Sequence, residues 1–250
     1  MMNVSDYLQR LNVAEEPRLD WQYLGVLQAR HMLTIPFENL YIMEGREIEL
    51  DVNAFFDKMV VQQRGGFCYE LNGLLYWLLR ELGFDVFMLS GRVMRAEGGY
   101  GPEFDHMALL VRLGQDYLVD VGFGDSVRSP LPFSGDEVHD VSGTYRLQKD
   151  SLGESAYFFQ KVIEGQWVSE FKFTTIPREL NEFTGMCRYQ QTSPESHFTH
   201  RPIVSIATDD GRITLSGDQL TVTAGEEKKK LTIASPEQRR EILRDYFGIS

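Results

Sequence analysis

Along the first third of the chain, apolar residues return at three- and four-residue steps, the spacing of one helical face. Ser5 stands where it caps a segment running to Leu11. The stretch from Leu19 to Leu33 carries Leu24, Leu27, Ala29 and Met32 among polar residues before Pro36 interrupts it. Val52 to Val61 predicts another short amphipathic helix, followed by a loop over 62–66. The clearest repeat comes next: Leu71, Leu74, Leu75, Leu78, Leu79 and Leu82 predict a helix that begins near Cys68 and stops at Gly83. Residues 1–83 therefore read as a helical bundle.

From Phe84 the period shortens. FDVFMLSGRVM, HMALLVRLG, QDYLVDVGFG, TYRLQKD, YFFQKVI and QWVSEFKFT alternate or run apolar over strand lengths between clusters of turn residues. They predict an antiparallel sheet or small barrel over 84–188, with an exposed loop from Glu97 to Glu103. Over 189–250, RPIVSIAT, GRITLSGD, QLTVTAG and KKKLTIAS predict a second sheet, with Glu226 to Lys230 as a solvated hairpin turn. Ser235-Pro236-Glu237-Gln238 offers a cap, a proline at the first helical position and a capping-box glutamine to a closing helix that ends near Phe247. The expected fold class is α+β in three consecutive parts: helical bundle, barrel-like β domain, and α/β lid.

Charge narrows the function classes. The net charge is −12 at pH 7 and no basic stripe is present, which excludes a nucleic-acid binder and means that any anionic co-substrate is held locally. No apolar run is long enough to span a bilayer, and the opening MMNVSDYLQRLNV lacks the apolar core of a signal peptide, so a cytoplasmic protein with no membrane partner is expected. Cys68 and Cys187 are too few for a disulfide framework and lack zinc-ligand spacing, so no metal is expected.

The candidate chemistry begins at Cys68. In the first turn of its helix a thiol meets unpaired N–H groups and the positive end of the helix dipole, both of which favour the thiolate. Gly65 and Gly66 are expected to leave room for a substrate backbone or acyl group. A lone cysteine is as readily a small packing residue. Its company changes the reading: His106 precedes one apolar run, and Asp120 ends another ahead of Gly122 and Gly124. Nucleophile, base and orienting carboxylate are then all available, although His106 alone also reads as a polar strand start and Asp120 as a turn former. His31, His139, His197 and His200 read as surface or packing residues, and Cys187 as a structural thiol.

Five ordered motifs, PFENL (36–40), RGGFCYELNG (64–73), FDHMALLV (104–111), DVGFG (120–124) and SHFTHRPIVSIATDDGRITL (196–215), resemble those of the arylamine N-acetyltransferase family over most of the chain. The resemblance implies a cysteine-proteinase-like triad of Cys68, His106 and Asp120. It also implies acetyl transfer from acetyl-coenzyme A, a co-substrate and not a bound cofactor, to an arylamine or arylhydrazine, and a place in xenobiotic metabolism. Phe37, Phe123, Val93 and Phe198 are the implied aromatic-substrate contacts. Gly124 is the position where backbone N–H groups can approach pantetheine or pyrophosphate. Arg64, Glu38 and Asn39 are read as holding the bundle against the cysteine loop, and Glu70 and Asn72 as supporting the triad. One departure is Arg10-Leu11-Asn12, where the family often has an Arg-Ile-Gly type sequence. Alternatives sharing the triad are a transglutaminase-like hydrolase and an amide-forming acyltransferase; a third is a binding scaffold without activity. Oligomeric state stays open.

Overall fold

The structure is a computed structural model and describes residues 2–151 and 155–249. Helices α1 (Val4–Arg10) and α2 (Trp21–Thr34) open the chain, with Asn3 and Asp20 accepting first-turn N–H groups as caps. A two-residue strand β1 (Phe37–Glu38) and the short α3 (Leu40–Met43) follow. The predicted helix at 52–61 is α4 (Val52–Phe56) continued by a π-helical turn over Asp57–Val61. The cysteine helix α5 (Cys68–Glu81) buries Leu71, Leu74, Leu75, Leu78 and Leu79 completely, the face its spacing predicts, while Leu82 follows the last helical residue.

The middle of the chain forms β2 (Asp85–Val93), β3 (His106–Leu113), β4 (Gln115–Val119), β5 (Leu131–Pro132), β6 (Val138–Asp140), β7 (Gly143–Lys149), β8 (Ala156–Ile163) and β9 (Gln166–Thr174). These pair in the order β5-β4-β3-β2-β9-β8-β7-β6 as an antiparallel, nearly closed barrel-like sheet. Strand β3 explains the unbroken apolar run that starts at His106. Met107, Leu109 and Val111 pack outward against the helices, whereas Ala108 and Leu110 pack into the barrel interior with Leu89, Phe159 and Phe171. A strand buried on both faces has no polar side to alternate with. His106 shares the parity of Ala108 and Leu110, so its ring lies against the interior phenylalanine Phe171, at 5.0 Å between centroids.

After α6 (Thr184–Thr192), a helix that spans the 188/189 division read from sequence, come β10 (Ile203–Thr208), β11 (Gly211–Ser216), β12 (Gln219–Ala224), β13 (Glu227–Thr232) and α7 (Pro236–Phe247). Ser235 caps α7 by accepting the Gln238 N–H, and Pro236 occupies its first turn. The second sheet runs β1-β10-β11-β12-β13, so the N-terminal strand β1 pairs with β10 and joins two distant parts of the chain. The predicted turn at Glu226 to Lys230 is mostly strand. Only Gly225 and Glu226 turn, and Glu227 to Lys230 pair with β12. Its charge has a different reason: β13 is the sheet edge, exposed throughout, and lysines on an edge discourage pairing with another chain.

Candidate active site

Cys68 enters the site as the first residue of α5, with Phe67 as its N-cap in extended backbone. The loop before it is fixed by close backbone approach. Gly66 bridges Phe37 in a parallel contact, and Glu38 N–H donates to the Gly66 carbonyl at 2.8 Å. A Cβ on Gly65 would lie 2.1 Å from the Pro36 carbonyl oxygen. The room expected for substrate beside Gly65 and Gly66 is therefore taken by the Pro36–Glu38 backbone and by Glu70, and these glycines serve loop packing.

A buried ionic cluster braces the same loop. Lys58 from the π-helical turn donates to both Glu70 carboxylate oxygens, at 2.9 and 3.0 Å, and lies 3.5 Å from Glu38. Burial opposes the lysine charge, but Glu70 and Glu38 raise its pKa overall; burial pushes the Glu70 carboxyl up against the pull of Lys58. Glu70 also accepts the Phe67 N–H, and Arg64 approaches Glu38 at 3.8 Å. Asn39 clamps the segment after α6. It donates to the Phe198 and Arg201 carbonyls at 2.9 Å each and accepts the Ile203 N–H at 2.7 Å.

His106 Nε2 lies 2.6 Å from Asp120 Oδ2, both groups almost wholly buried. The second carboxylate oxygen accepts Asn72 Nδ2–H at 2.9 Å and the Gly122 N–H at 2.8 Å. Asn72 completes the lock by donating to the Met107 carbonyl and accepting the Val121 N–H. Because Asn72 stands one helical turn beyond Cys68, a single helix presents the thiol and orients the carboxylate. Gly122 is required by this crowding, since a Cβ there would meet Asn72 Nδ2 and Cys68 Cα at 2.7 Å. From behind, Gln28 of α2 donates to the Val127 carbonyl at 3.0 Å.

Burial pushes the Cys68 thiol well above its usual pKa and Asp120 adds to this, while the Met107 backbone N–H works the other way. The helix terminus alone thus does not deliver the thiolate read from sequence. A thiolate at Cys68 therefore needs a positive charge beside it to offset burial. Cys187 is pushed up to about 12 by burial and accepts Gln191 Nε2–H at 3.2 Å.

A cavity of about 310 Å³ gathers the sequence candidates: Phe37, Cys68, Val93, His106, Phe123 and Phe198 all line it. Asp120 stands behind His106, outside the wall. Gly124 also lies off the wall, on the loop just past Phe123, with open space where a side chain would project (φ 87°). Gly122, Asp105, Gln190 and His197 complete the lining, and the last three were missed from sequence. Asp105 sat unused inside FDHMALLV and His197 inside the motif at 196–215; Gln190 belongs to α6, where no local pattern signals an approach to Cys68. The Phe123 ring packs edge-on to His106 at 5.1 Å, giving the cavity an aromatic wall.

A family model described as N-acetyltransferase matches residues 20–250. The arylamine N-acetyltransferase of Mycolicibacterium smegmatis is 36% identical over 99% of this chain and 92% of its own length. The chain belongs to the arylamine N-acetyltransferase family. Solved structures of family members agree in fold. The M. smegmatis enzyme superposes with a TM-score of 0.91 at 34% identity, over the whole of this chain and 93% of its own. An arylamine N-acetyltransferase from Bacillus cereus, reported with a unique Cys-His-Glu catalytic triad, gives 0.92 at 29% identity over the whole of both chains. The chain is an enzyme of the acyltransferase class. Among the described residues, no group of three or more His, Cys, Asp or Glu is placed to hold a metal, and no helix is long and apolar enough to cross a membrane.

A second cavity, of about 330 Å³, adjoins the far end of the Asp120 loop. It is lined by Asp125, Arg128, Arg212, Lys228, Thr221 and Thr223 among others. Arg128 donates to the Thr208 and Gly211 carbonyls, tying the loop to the second sheet, yet its Nε and the Nη2 of Arg212 are buried without a partner.

Proposed function

We propose that the enzyme moves an acetyl group from acetyl-coenzyme A to an arylamine or arylhydrazine in two steps through an acetyl-Cys68 intermediate, with His106 as base and Asp120 as the orienting carboxylate. The observation that carries this reading is the single aromatic-walled cavity holding both Cys68 and His106, backed by the 2.6 Å contact of His106 with Asp120. In the first step His106 takes the Cys68 proton, and the thiolate attacks the thioester carbonyl. The tetrahedral intermediate collapses, and the coenzyme A thiolate leaves with the proton held by His106. In the second step the amine nitrogen attacks the acetyl-cysteine, His106 removes the amine proton, and the same proton returns to the departing Cys68 sulfur. Asp120 stabilises the imidazolium in both steps. The Cys68 backbone N–H, in the first turn where helical amides lack intrahelical partners, is the donor assigned to the oxyanion.

Phe37, Val93, Phe123 and Phe198 are assigned to the aromatic ring of the acceptor, whose flat faces suit such walls. The phosphates of the donor are assigned to the cavity of Arg128, Arg212 and Lys228, where buried guanidinium N–H groups lack partners. Gly124 lies on the loop that joins the two cavities and is assigned to the pantetheine arm that would cross between them.

The test is mass spectrometry of the protein after mixing with acetyl-coenzyme A. One acetyl group on Cys68, lost when an arylamine is added with stoichiometric N-acetylarylamine formed, is the expected result. A protein that stays unacetylated, or an acetyl group found elsewhere, would overturn the reading and favour a hydrolase or another acyl donor.

A further inference from the structure

The catalytic cavity does not end at its aromatic walls. Val93, Asp105, Gln190 and His197 line both it and an outer cavity of about 590 Å³, so the two adjoin at these four side chains. The charges of this vestibule are Arg95, Glu97, Asp105 and Glu195, with His197 on its rim. Arg95 lies 4.0 Å from Glu97 and its charge also reaches Asp105, so the lining sets three carboxylates against one guanidinium. Asp105 is also the sole carboxylate among the described residues lining the catalytic cavity. Burial raises its pKa above the ordinary aspartate value, against His106, the Val93 N–H and Gln190, whose Nε2–H donates to Oδ1 at 2.8 Å. Its position is fixed on the other side by Gly101, where a Cβ would lie 2.2 Å from Oδ2. The carboxylate is therefore a fixed part of the wall, directly before His106 in sequence.

We propose that Asp105 and the acidic vestibule make the enzyme select acceptors by charge, so that neutral and cationic arylamines and hydrazines are used and ring-carboxylated arylamines are turned away. This rests on the amine-acetylation reading above. In a cavity of this size a ring carboxylate lies within a few ångströms of Asp105, and one like-charge contact at a partly buried site costs roughly tenfold in affinity. The outer carboxylates act over longer range and are screened by salt. The contrast with the arginine-lined cavity near Asp125 is direct: the polyanionic donor has a basic place to anchor, and the acceptor enters between carboxylates.

The experiment compares kcat/KM for 4-aminobenzoate, 4-aminobenzamide and 4-aminobenzamidine, three para-substituted anilines of similar shape and different charge. 4-Nitrophenyl acetate serves as a neutral donor, so that salt effects report on the acceptor. The wild-type order is expected to be amidine, amide, benzoate, and Asp105→Asn is expected to raise the benzoate-to-amide ratio about tenfold. Raising ionic strength is expected to improve the benzoate and weaken the amidine while leaving the amide flat. If Asp105→Asn does not fold, the salt series and the double variant Glu97→Gln/Glu195→Gln, which changes only exposed side chains, decide: the benzoate-to-amide ratio rises in both or the proposal fails. A ratio unchanged within twofold in the variants, with no salt response in the wild type, overturns the charge selection while Cys68 is still acetylated. No acetylation of Cys68 at all overturns the transfer reading, and this proposal with it.

Discussion

Two buried polar networks leave the same helix, two residues apart, and they are built for different ends. Glu70 joins Lys58, Glu38 and Arg64 in an ionic cluster beneath the cysteine loop, where the charges are close to one another and none of the four lines the cavity. Asn72 joins Asp120, His106 and the Val121–Gly122 backbone, where an amide and a carboxylate have their hydrogen bonds satisfied around one imidazole. The first network fixes where Cys68 is. The second holds the His106 imidazole. A charge cluster tolerates no missing member, because removing one ion strands another in the interior. The hydrogen-bonded network instead tolerates loss of a member structurally and answers in catalytic rate.

That contrast can be broken most sharply at Asp120. Asp120→Asn is expected to lower kcat on the order of 10⁴-fold with only a small change in melting temperature, as a triad histidine left in the wrong tautomer does; steady-state kinetics with thermal melts measure both. Lys58→Ala is expected to act the other way, destabilising the fold by about 3–5 kcal/mol in denaturant unfolding because Glu70 and Glu38 are left uncompensated. If Lys58→Ala instead lost rate without losing stability, the division between the networks would be wrong.

His31 provides an internal reference away from both. It is wholly buried against Tyr7, neither ring nitrogen has a partner, and burial, aided by Arg10, lowers its pKa from 6.5 to about 3. A folded-state pKa below the unfolded one means that the native state binds fewer protons. The stability this group contributes is therefore complete above about pH 6.5 and is lost as pH falls toward about 3. Unfolding free energy is expected to drop on the order of several kcal/mol across that window, and His31→Phe to flatten the acid limb in a pH series of urea unfolding. On that background the acid response of the two networks can be read.

A smaller effect is expected at Asn72. Asn72→Ala should reduce kcat roughly 10–100-fold by loosening Asp120, with KM for the acceptor little changed. Last, Cys68 alkylation by iodoacetamide should need a more alkaline pH in His106→Gln than in the wild type, since burial then acts on the thiol unopposed by an imidazolium. Coincident pH profiles would contradict the ion pair.

Local pattern made much of this legible. The leucine face of α5 and the strands from β2 to β4 and β7 to β12 follow from periodicity, and motifs brought Phe37, Phe123 and Phe198 of the cavity lining within reach. What escaped depends on partners remote in sequence. Nothing near PFENL says that Phe37 and Glu38 pair with Ser205 and Val204, and a lysine inside an amphipathic segment looks solvated until Glu70 and Glu38 are found around it. Likewise Gly65 and Gly66 signalled close approach correctly but not by what: the neighbour is protein backbone. The lysines of β13 read as a turn because charge suggests exposure, and an edge strand is exposed too.

The pairing of β1 with β10 also sets an order of assembly on the ribosome. Strand β1 and the cysteine helix are synthesised early, but the hydrogen-bonding partner of Phe37 and Glu38, the segment clamped by Asn39 and the Phe198 wall all emerge in the last quarter of the chain. A nascent chain therefore carries its thiol without the cavity that would make use of it until the residues around 198–205 have emerged.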